Sequence, residues 1–333
     1  MRFVLYGLLN LFSIQAIALE VEGEFLVGQG EDEVTVIGTS EFERVQPVFA
    51  GFVGSQKAVK VRYLQMSSRD IDQAVRSGLS ANIDLVMSSA VDLQVHLVND
   101  GFARPFDQGL SRHLNWRGEL IQLSVEPIVT IYNTTRWREL ENARTRRGLA
   151  SLIESDPKKI LKLTMYDPAI SGVGYLLSRQ DLVQDEHFWS LLDLFGSRAF
   201  LPNCCSGDMI DQVVAGESDL AYNVLESYVL PRLANAPDLR VLRFDDYQLA
   251  IPRTAFIPSQ ANDVGLANAL VGYFLNQDGQ SRLLPSVRLD VLRVNRKGGP
   301  IKPIRMTPAL IVHLDEVNRR RFFQRWERAI NQQ

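Results

Sequence analysis

Residues 83–98 read IDLVMSSAVDLQVHLV, and this stretch indicates the fold more clearly than any other. Its first five residues form a short apolar run typical of a buried strand, and residues 91–98 carry apolar side chains at helical spacing. Between them lie Ser88 and Ser89, whose hydroxyl groups can accept hydrogen bonds from the first N–H groups of a helix. The stretch therefore predicts a strand, a polar turn and a helix in succession.

The same order recurs along most of the chain. Short strands that alternate with helices are typical of α/β proteins, and 333 residues suggest about two domains. Strands are predicted at residues 34–38, 59–64, 83–87, 128–132, 220–223 and 247–257, and another follows a short helix within residues 157–165. Helices are predicted after residues 39–40 and at residues 70–79, 91–98, 175–179, 209–215, 226–233 and 312–331.

Small polar residues or glycine stand at four of the predicted helix starts. The first N–H groups of a helix have no partner within it and carry the positive end of the helix dipole, so several converging starts can hold an anion. Each start taken alone is explained by capping; together they lie where open α/β sheets bind ligands. The candidate ligand-binding residues are Thr39, Ser40, Ser88, Ser89, Ala90, Ser171, Gly172, Val173, Cys205, Ser206 and Gly207.

The first eighteen residues have the features of a secretory signal peptide. Arg2 precedes an apolar run at residues 3–14, and Ala16-Ile17-Ala18 has the small-x-small form of a cleavage site. A membrane anchor is the alternative, but the run is shorter than the about 20 residues that span a bilayer. We therefore expect a periplasmic protein that begins at or near Leu19.

Composition excludes several classes of function. The formal net charge is −3, which does not favour nucleic-acid binding. The two cysteines and four histidines form no zinc-binding pattern, so we expect no metal site and no cofactor.

Three segments carry a resemblance to a known family: VIGTSEF at residues 36–42, DLVMSSAVDLQ at residues 84–94 and GESDLAYNVLESY at residues 216–228. They resemble type II periplasmic solute-binding proteins, in the branch of ABC transporter receptors for ferric iron, thiamine, polyamines and phosphonates. The resemblance covers residues 33–290. Residues 89–94, 171–175 and 204–209 are also similar to a receptor subgroup often encoded near two-component sensors.

The resemblance implies two α/β lobes joined by a hinge of two crossing strands, with a ligand cleft between them. Lobe one would comprise residues 19–130 and 248–333, and lobe two residues 131–247. Such a protein captures a small, here anionic, solute and delivers it to an ABC permease at the inner membrane. We accordingly expect a monomer that is not an enzyme. The alternative partner is a sensor kinase, to which the protein would present the solute.

Two tyrosines bear on the identity of the solute. The iron branch of the family holds ferric iron with two adjacent tyrosines, and this chain has Ser227 and Tyr228 at the equivalent place. Because Tyr222 lies six residues away, it does not restore the pair, so a ferric-iron binder remains an alternative. We expect Tyr222 or Tyr228 to join the helix starts at the cleft, and Tyr228 either to donate a hydrogen bond to the solute or to belong to the core.

The adjacent Cys204 and Cys205 leave three interpretations open. They are a structural part of a ligand-binding loop, a disulfide between neighbours, or a reactive thiol. The Cα atoms of neighbouring residues are about 3.8 Å apart, below the usual range for a disulfide. A reactive Cys205 would instead make the protein a secreted thiol enzyme.

The last segment, residues 312–333, predicts an amphipathic helix. Leu314, Phe322, Trp326 and Ile330 form one apolar stripe, which we expect to pack on the outside of lobe one, away from the cleft. A helix on a membrane surface is the alternative. The arginines expected to face outwards are Arg319, Arg320, Arg321, Arg325 and Arg328.

Overall fold

A computed structural model describes residues 21–78, 82–107, 109–110, 115–156, 160–289 and 300–331. The predicted signal peptide and its cleavage point lie outside the described residues. Within the described residues, no helix combines the length and the apolar character needed to cross a membrane.

Strands and helices alternate along most of this chain, so the predicted α/β class is confirmed. The strands are β1 (Gly23–Val27), β2 (Asp32–Gly38), β3 (Val59–Gln65), β4 (Leu85–Ser88), β5 (Ala103–Arg104), β6 (Asn115–Trp116), β7 (Leu120–Asn133), β8 (Lys162–Tyr166), β9 (Ala199–Asn203), β10 (Leu220–Leu225), β11 (Leu239–Leu242), β12 (Gln248–Pro258) and β13 (Ile301–Pro303). The α-helices are α1 (Phe42–Ser55), α2 (Ser68–Arg76), α3 (Val91–Asn99), α4 (Arg146–Glu154), α5 (Gly172–Gln184), α6 (Phe188–Gly196), α7 (Ser206–Val214), α8 (Glu226–Val229), α9 (Val264–Leu275), α10 (Gln277–Ser281), α11 (Ala309–Val312) and α12 (Glu316–Ile330). Short 3-10 helices span Arg138–Asn142, Leu230–Arg232 and Pro285–Val287.

The long strand β7 connects two halves of one mixed sheet, whose main order is β1-β3-β2-β4-β12-β7-β10-β8-β9. Up to Pro127, β7 pairs antiparallel with β12; from Ile128 onward it pairs with β10 and β11. The chain crosses between the halves a second time between β11 and β12. The molecule therefore has two lobes joined by two crossing segments, and β7 changes partners close to the predicted boundary at residue 130.

Each lobe has its own apolar core. The core of lobe one includes Val36, Phe49 and Phe274, and that of lobe two includes Leu163 and Phe195. A third cluster contains residues of both lobes, so apolar contact is continuous beside the hinge.

Several helix starts differ from the sequence prediction. Helix α1 begins at Phe42, after Thr39 and Ser40 as predicted, but neither residue is its N-cap, because the N–H of Thr39 donates to the carbonyl of Met87 at 3.2 Å and that of Ser40 to the hydroxyl of Tyr63 at 3.1 Å. These bonds hold both residues beside the neighbouring strands. Helix α2 begins two residues earlier than predicted, and helices α5 and α7 each begin three residues earlier.

The carboxyl-terminal segment packs on both lobes, which corrects its assignment to lobe one. Strand β13 pairs with β12, and α11 packs on α3 of lobe one. Helix α12, in contrast, packs on α6, where Phe322 and Trp326 join the core of lobe two. The physical reason is that α6 presents the matching apolar face, with Phe188, Leu192 and Phe195 buried.

The arginines of α12 are only partly free, contrary to expectation. Arg325 makes two hydrogen bonds to the carboxylate of Asp193 at 2.7 and 2.6 Å, and Arg319 lies 5.4 Å from the ring centre of Tyr175. The arginines classed as exposed are Arg320, Arg321 and Arg328.

We predict that Trp326→Ala lowers the free energy of unfolding by about 3–5 kcal/mol, because it leaves a cavity in the lobe-two core. The matched control is Val317→Ala on the same helix, since Val317 is 50% exposed and should cost much less. Urea unfolding followed by circular dichroism measures both. Equal effects of the two substitutions would contradict the docking of α12 on α6.

Candidate functional site

A cavity of about 300 Å³ lies between the two lobes. Its wall combines the ends of strands and the starts of helices from both sides. From lobe one it includes Glu22, Thr39, Glu41, Gln65, Met66, Ser67, Ser68, Ser89 and Arg253. From lobe two it includes Tyr166, Ile170, Ser171, Val173, Cys204, Cys205, Ser206, Gly207, Asp208, Leu225 and Tyr228.

Residues at or beside the starts of six helices line this cavity: α1, α2, α3, α5, α7 and α8. At α5, the hydroxyl of Ser171 accepts a hydrogen bond from the N–H of Gly174. At α2, the hydroxyl of Ser67 likewise accepts a hydrogen bond from the N–H of Asp70. This start was not among the candidate binding residues, although Ser67-Ser68 has the same small polar character. Helix α7 has Cys205 as its N-cap and no side-chain cap. Its first N–H groups can therefore receive an acceptor group of a ligand.

Most of the residues predicted from sequence line this cavity. The ends of parallel strands meet at one edge of a sheet, so the helix starts that follow them are brought together. The predicted residues in the cavity wall are Thr39, Ser89, Ser171, Val173, Cys205, Ser206, Gly207 and Tyr228.

Four predicted residues at the helix starts lie elsewhere. Ser40 is buried beside Tyr63, and the hydroxyl of Ser88 accepts from the N–H of Ala90 at 3.1 Å, so both are used within lobe one. Ala90 itself is fully buried. Gly172 lines an adjoining cavity instead.

Tyr222, also predicted as a candidate ligand-binding residue, is not among the residues that line this cavity. Its side chain is fully buried in the lobe-two core, and its hydroxyl accepts a hydrogen bond from Nε of Arg146 at 2.7 Å and donates to Asp181 at 3.4 Å. Asp181 also accepts from Asn223 and Tyr247. A buried hydroxyl needs such partners, and here the protein itself supplies them.

The lobes contact each other on both sides of the cavity. On one side, the N–H of Glu41 donates to the hydroxyl of Tyr228 at 3.1 Å, and Arg44 donates to the carbonyl of Ser227 at 3.1 Å. On the other side, a Cβ added to Gly172 would lie 2.6 Å from Oγ of Ser68. A larger residue than glycine at position 172 would therefore require Ser68 or Leu93 of lobe one to move.

Two buried tyrosines face the cavity as neutral hydrogen-bonding groups. Burial raises the pKa of Tyr228 to about 12 and also raises that of Tyr166. The hydroxyl of Tyr166 lies 2.6 Å from Oγ of Ser206, which in turn accepts from the N–H of Leu225 at 2.9 Å.

A buried ion pair, missed in the sequence analysis, lies at the base of the cavity. Nη2 of Arg253 is 2.9 Å from Oε1 of Glu126, and the two side chains are 3% and 0% exposed. Arg253 belongs to β12 and lines the cavity, whereas Glu126 belongs to β7. Burial raises the pKa of Glu126, and the positive charge of Arg253 opposes that shift. The sequence did contain a signal for this pair, because Glu126 and Arg253 are the single charged residues of two otherwise uncharged buried strands.

Of the three interpretations of Cys204 and Cys205, the structure has the disulfide. Both residues line the cavity. Because the sulfur of Cys205 is bonded, it is not a nucleophile in this state, and no histidine is among the described residues that line the cavity.

A second cavity of about 250 Å³ adjoins the first and is lined by α2, α3, α5 and the carboxyl-terminal segment. Asp92, Gly172, Leu314 and Arg319 are among its residues, so the segment is not remote from the cleft, contrary to expectation. Asp92 is 1% exposed, and burial raises its pKa to about 7.

Solved structures with the same architecture are numerous. A substrate-binding protein of an ABC transporter from Agrobacterium tumefaciens aligns with a TM-score of 0.85 at 24% identity, over 92% of this chain and 98% of that one. AfuA, a periplasmic binding protein from Actinobacillus pleuropneumoniae solved with fructose-6-phosphate, aligns with a TM-score of 0.69 at 11% identity, over 91% and 100%. Iron-bound HitA from Pseudomonas aeruginosa aligns with a TM-score of 0.65 at 15% identity, over 90% and 99%.

No protein-family model and no curated protein sequence matches this chain. The structural matches confirm the two-lobe fold of type II periplasmic binding proteins that the sequence resemblance implied.

We predict that stability falls between pH 4 and pH 7 through Asp92, whose pKa is 3.8 for an ordinary aspartate and about 7 here. The folded state holds the proton of Asp92 more tightly than the unfolded state does. The contribution of this proton to the free energy of unfolding is therefore complete below the lower pKa, and it is lost as the pH rises to the upper pKa. The loss is at most roughly 4 kcal/mol. Urea unfolding at several pH values measures how the free energy of unfolding changes with pH. This change should be smaller for Asp92→Asn than for the wild type, and an identical change would contradict the raised pKa of Asp92.

Proposed function

We propose that this protein is a periplasmic solute-binding receptor that captures a small anionic solute between its lobes and delivers it to an ABC importer. The observation that carries the proposal is the cavity beside the hinge, whose wall contains residues of both lobes. A ligand that contacts both lobes favours their closed arrangement, and a membrane partner can recognise that arrangement.

The size of the cavity limits the solute. A volume of about 300 Å³ lies at the lower end of small-molecule sites. Because a water molecule in the liquid occupies about 30 Å³, the cavity suits a solute of roughly ten non-hydrogen atoms. A compact carboxylate, phosphonate or phosphorylated small molecule meets this limit.

The donors in the cavity suit oxygen acceptors. The uncapped start of α7 offers backbone N–H groups, and Thr39, Ser89 and Tyr228 offer hydroxyl groups. The guanidinium of Arg253 is paired with Glu126, so it supplies hydrogen bonds more than net charge.

A ferric ion is the second candidate, because iron-binding proteins are among the structural matches. Hard ferric iron prefers several anionic oxygen ligands. Here Tyr228 has a serine as its neighbour, and its hydroxyl already accepts from the N–H of Glu41. A neutral hydrogen-bonding role for Tyr228 fits these contacts better. The membrane partner that recognises the closed form is either the importer or a sensor kinase. A binding measurement between the solute-loaded protein and each of the two distinguishes them.

A panel of carboxylates, phosphonates, phosphorylated sugars and ferric citrate tests the proposal through melting temperature and tryptophan fluorescence. At a concentration of 100 Kd, the right solute should add about 2.7 kcal/mol to stability and be recovered unchanged. We predict that Tyr228→Phe weakens its binding about three- to tenfold. No response to any compound, or chemical conversion of the solute, would contradict the proposal.

The matched control is Tyr222→Phe, which removes the same hydroxyl from a tyrosine outside the cavity. It should leave affinity unchanged while costing about 1–3 kcal/mol of stability, because Arg146 and Asp181 lose a buried partner. Loss of affinity in this variant alone would contradict the assignment of the site.

The carboxylate of Glu41 provides a test of solute charge. A Cβ added to Gly207 would lie 2.7 Å from Oε1 of Glu41, so the carboxylate lies beside the start of α7. We predict that Glu41→Gln tightens binding of an anionic solute about three- to tenfold, because it removes a like charge. Isothermal titration with the solute from the panel measures this, with Glu43→Gln, an exposed residue of the same helix, as the control. Weaker binding by Glu41→Gln would mean that the solute is not an anion.

A further inference from the structure

Two sulfur atoms and a carboxylate meet at the start of α7. The Sγ atoms of Cys204 and Cys205 and a carboxylate oxygen of Asp208 all lie within 4.8 Å of one another. Oδ2 of Asp208 is 3.4 Å from Sγ of Cys204. Solute binding as proposed above uses backbone N–H and hydroxyl groups, and it gives no reason for two adjacent cysteines in the wall.

The chemistry of this cluster depends on its oxidation state. In the disulfide, the two sulfurs are covalently bonded to each other, and each is a poor metal ligand. Reduction by a dithiol transfers two electrons and two protons, which breaks the S–S bond, produces two thiols and leaves the reductant as a disulfide. The peptide bond between Cys204 and Cys205 keeps their Cα atoms 3.8 Å apart in both states. This short separation allows both sulfurs, after rotation about their Cα–Cβ bonds, to reach one metal ion after reduction.

We propose that the reduced cysteines, together with Asp208, bind a thiophilic divalent cation of the zinc type in the wall of the interlobe cavity. Thiolate sulfur and carboxylate oxygen are ligands that zinc uses, and solvent would complete the coordination. Binding releases the two thiol protons to water as two metal–sulfur bonds form.

The surroundings favour both the thiolate form and a cation. Cys205 is the N-cap of α7, a helix of nine residues, and the positive end of a helix stabilises a thiolate. The carboxylate of Asp208 lies beside Sγ of Cys204, and its negative charge favours a cation next to the sulfurs.

The inference goes beyond solute transport and does not depend on the identity of the solute. Thiolates at the start of α7 would accept hydrogen bonds from the backbone N–H groups there. These are the groups that we propose bind the anionic solute. Metal loading and solute binding should therefore compete.

The test uses the complete mature protein and cadmium ion, a spectroscopic substitute for zinc. One sample is reduced with a phosphine, freed of reductant without oxygen and shown to contain two free thiols; the other is kept oxidised. The reduced sample should bind one cadmium per chain, with thiolate-to-cadmium charge-transfer absorption in the ultraviolet. The oxidised sample should show no such absorption. Equal cadmium binding by the two samples, without charge transfer, would overturn the proposal.

Substitutions locate the ligands. In the reduced state, Cys204→Ser and Cys205→Ser should each lower cadmium affinity at least about tenfold and diminish the charge-transfer absorption. Asp208→Asn should weaken binding while the absorption persists. The matched control is Asp211→Asn, one turn further along α7, where the carboxylate pairs with Arg232 at 3.0 Å. Equal effects of Asp208→Asn and Asp211→Asn would exclude Asp208 as a ligand.

Discussion

Strand β7 is the constraint on which the rest of the structure depends, because its fourteen residues are buried throughout and belong to the sheets of both lobes. Its change of partner between Pro127 and Ile128 fixes where one lobe ends and the other begins. The ion pair of Glu126 and Arg253 lies at this point and joins β7 to β12. Removing one member of such a buried pair costs about 3–5 kcal/mol, since it leaves the other charge without a partner.

The cavity follows from this arrangement. Strands that end beside the hinge deliver the helix starts to the space between the lobes, and Arg253 places the hinge ion pair in the cavity wall. Close approaches on either side, at Gly172 with Ser68 and at Gly207 with Glu41, depend on residues without side chains. A solute that contacts the cavity wall would therefore lie next to the hinge ion pair and next to the close approaches between the lobes.

Much of the fold could be predicted from the sequence because each strand, turn and helix is a local pattern. The pattern at residues 83–98 corresponds to β4 and α3, and the polar turns that line the cavity follow from strand ends meeting at one edge. Local patterns do not say which partner a side chain meets. Tyr222 and Tyr228 look alike in the sequence, but only the fold brings Arg146 and Asp181 to Tyr222.

The carboxyl-terminal helix illustrates the same limit. Its apolar stripe shows that it must pack against something, and its position after β13 suggests lobe one. The face that matches Phe322 and Trp326 belongs to α6, which is more than 120 residues away in the chain. Glu126 and Arg253 were visible as lone charges in buried strands, but their pairing depends on the register of β7 and β12.

The central claim is that a solute closes the two lobes about the hinge. Spin labels attached to Glu43→Cys and Val214→Cys, exposed positions on α1 of lobe one and α7 of lobe two, report the separation of the lobes by pulsed electron resonance while the native cysteines remain bonded. We predict that the compound found in the panel shifts the distribution of label-to-label distances to a single short separation. The same distribution with and without a compound that binds in the cavity would contradict it.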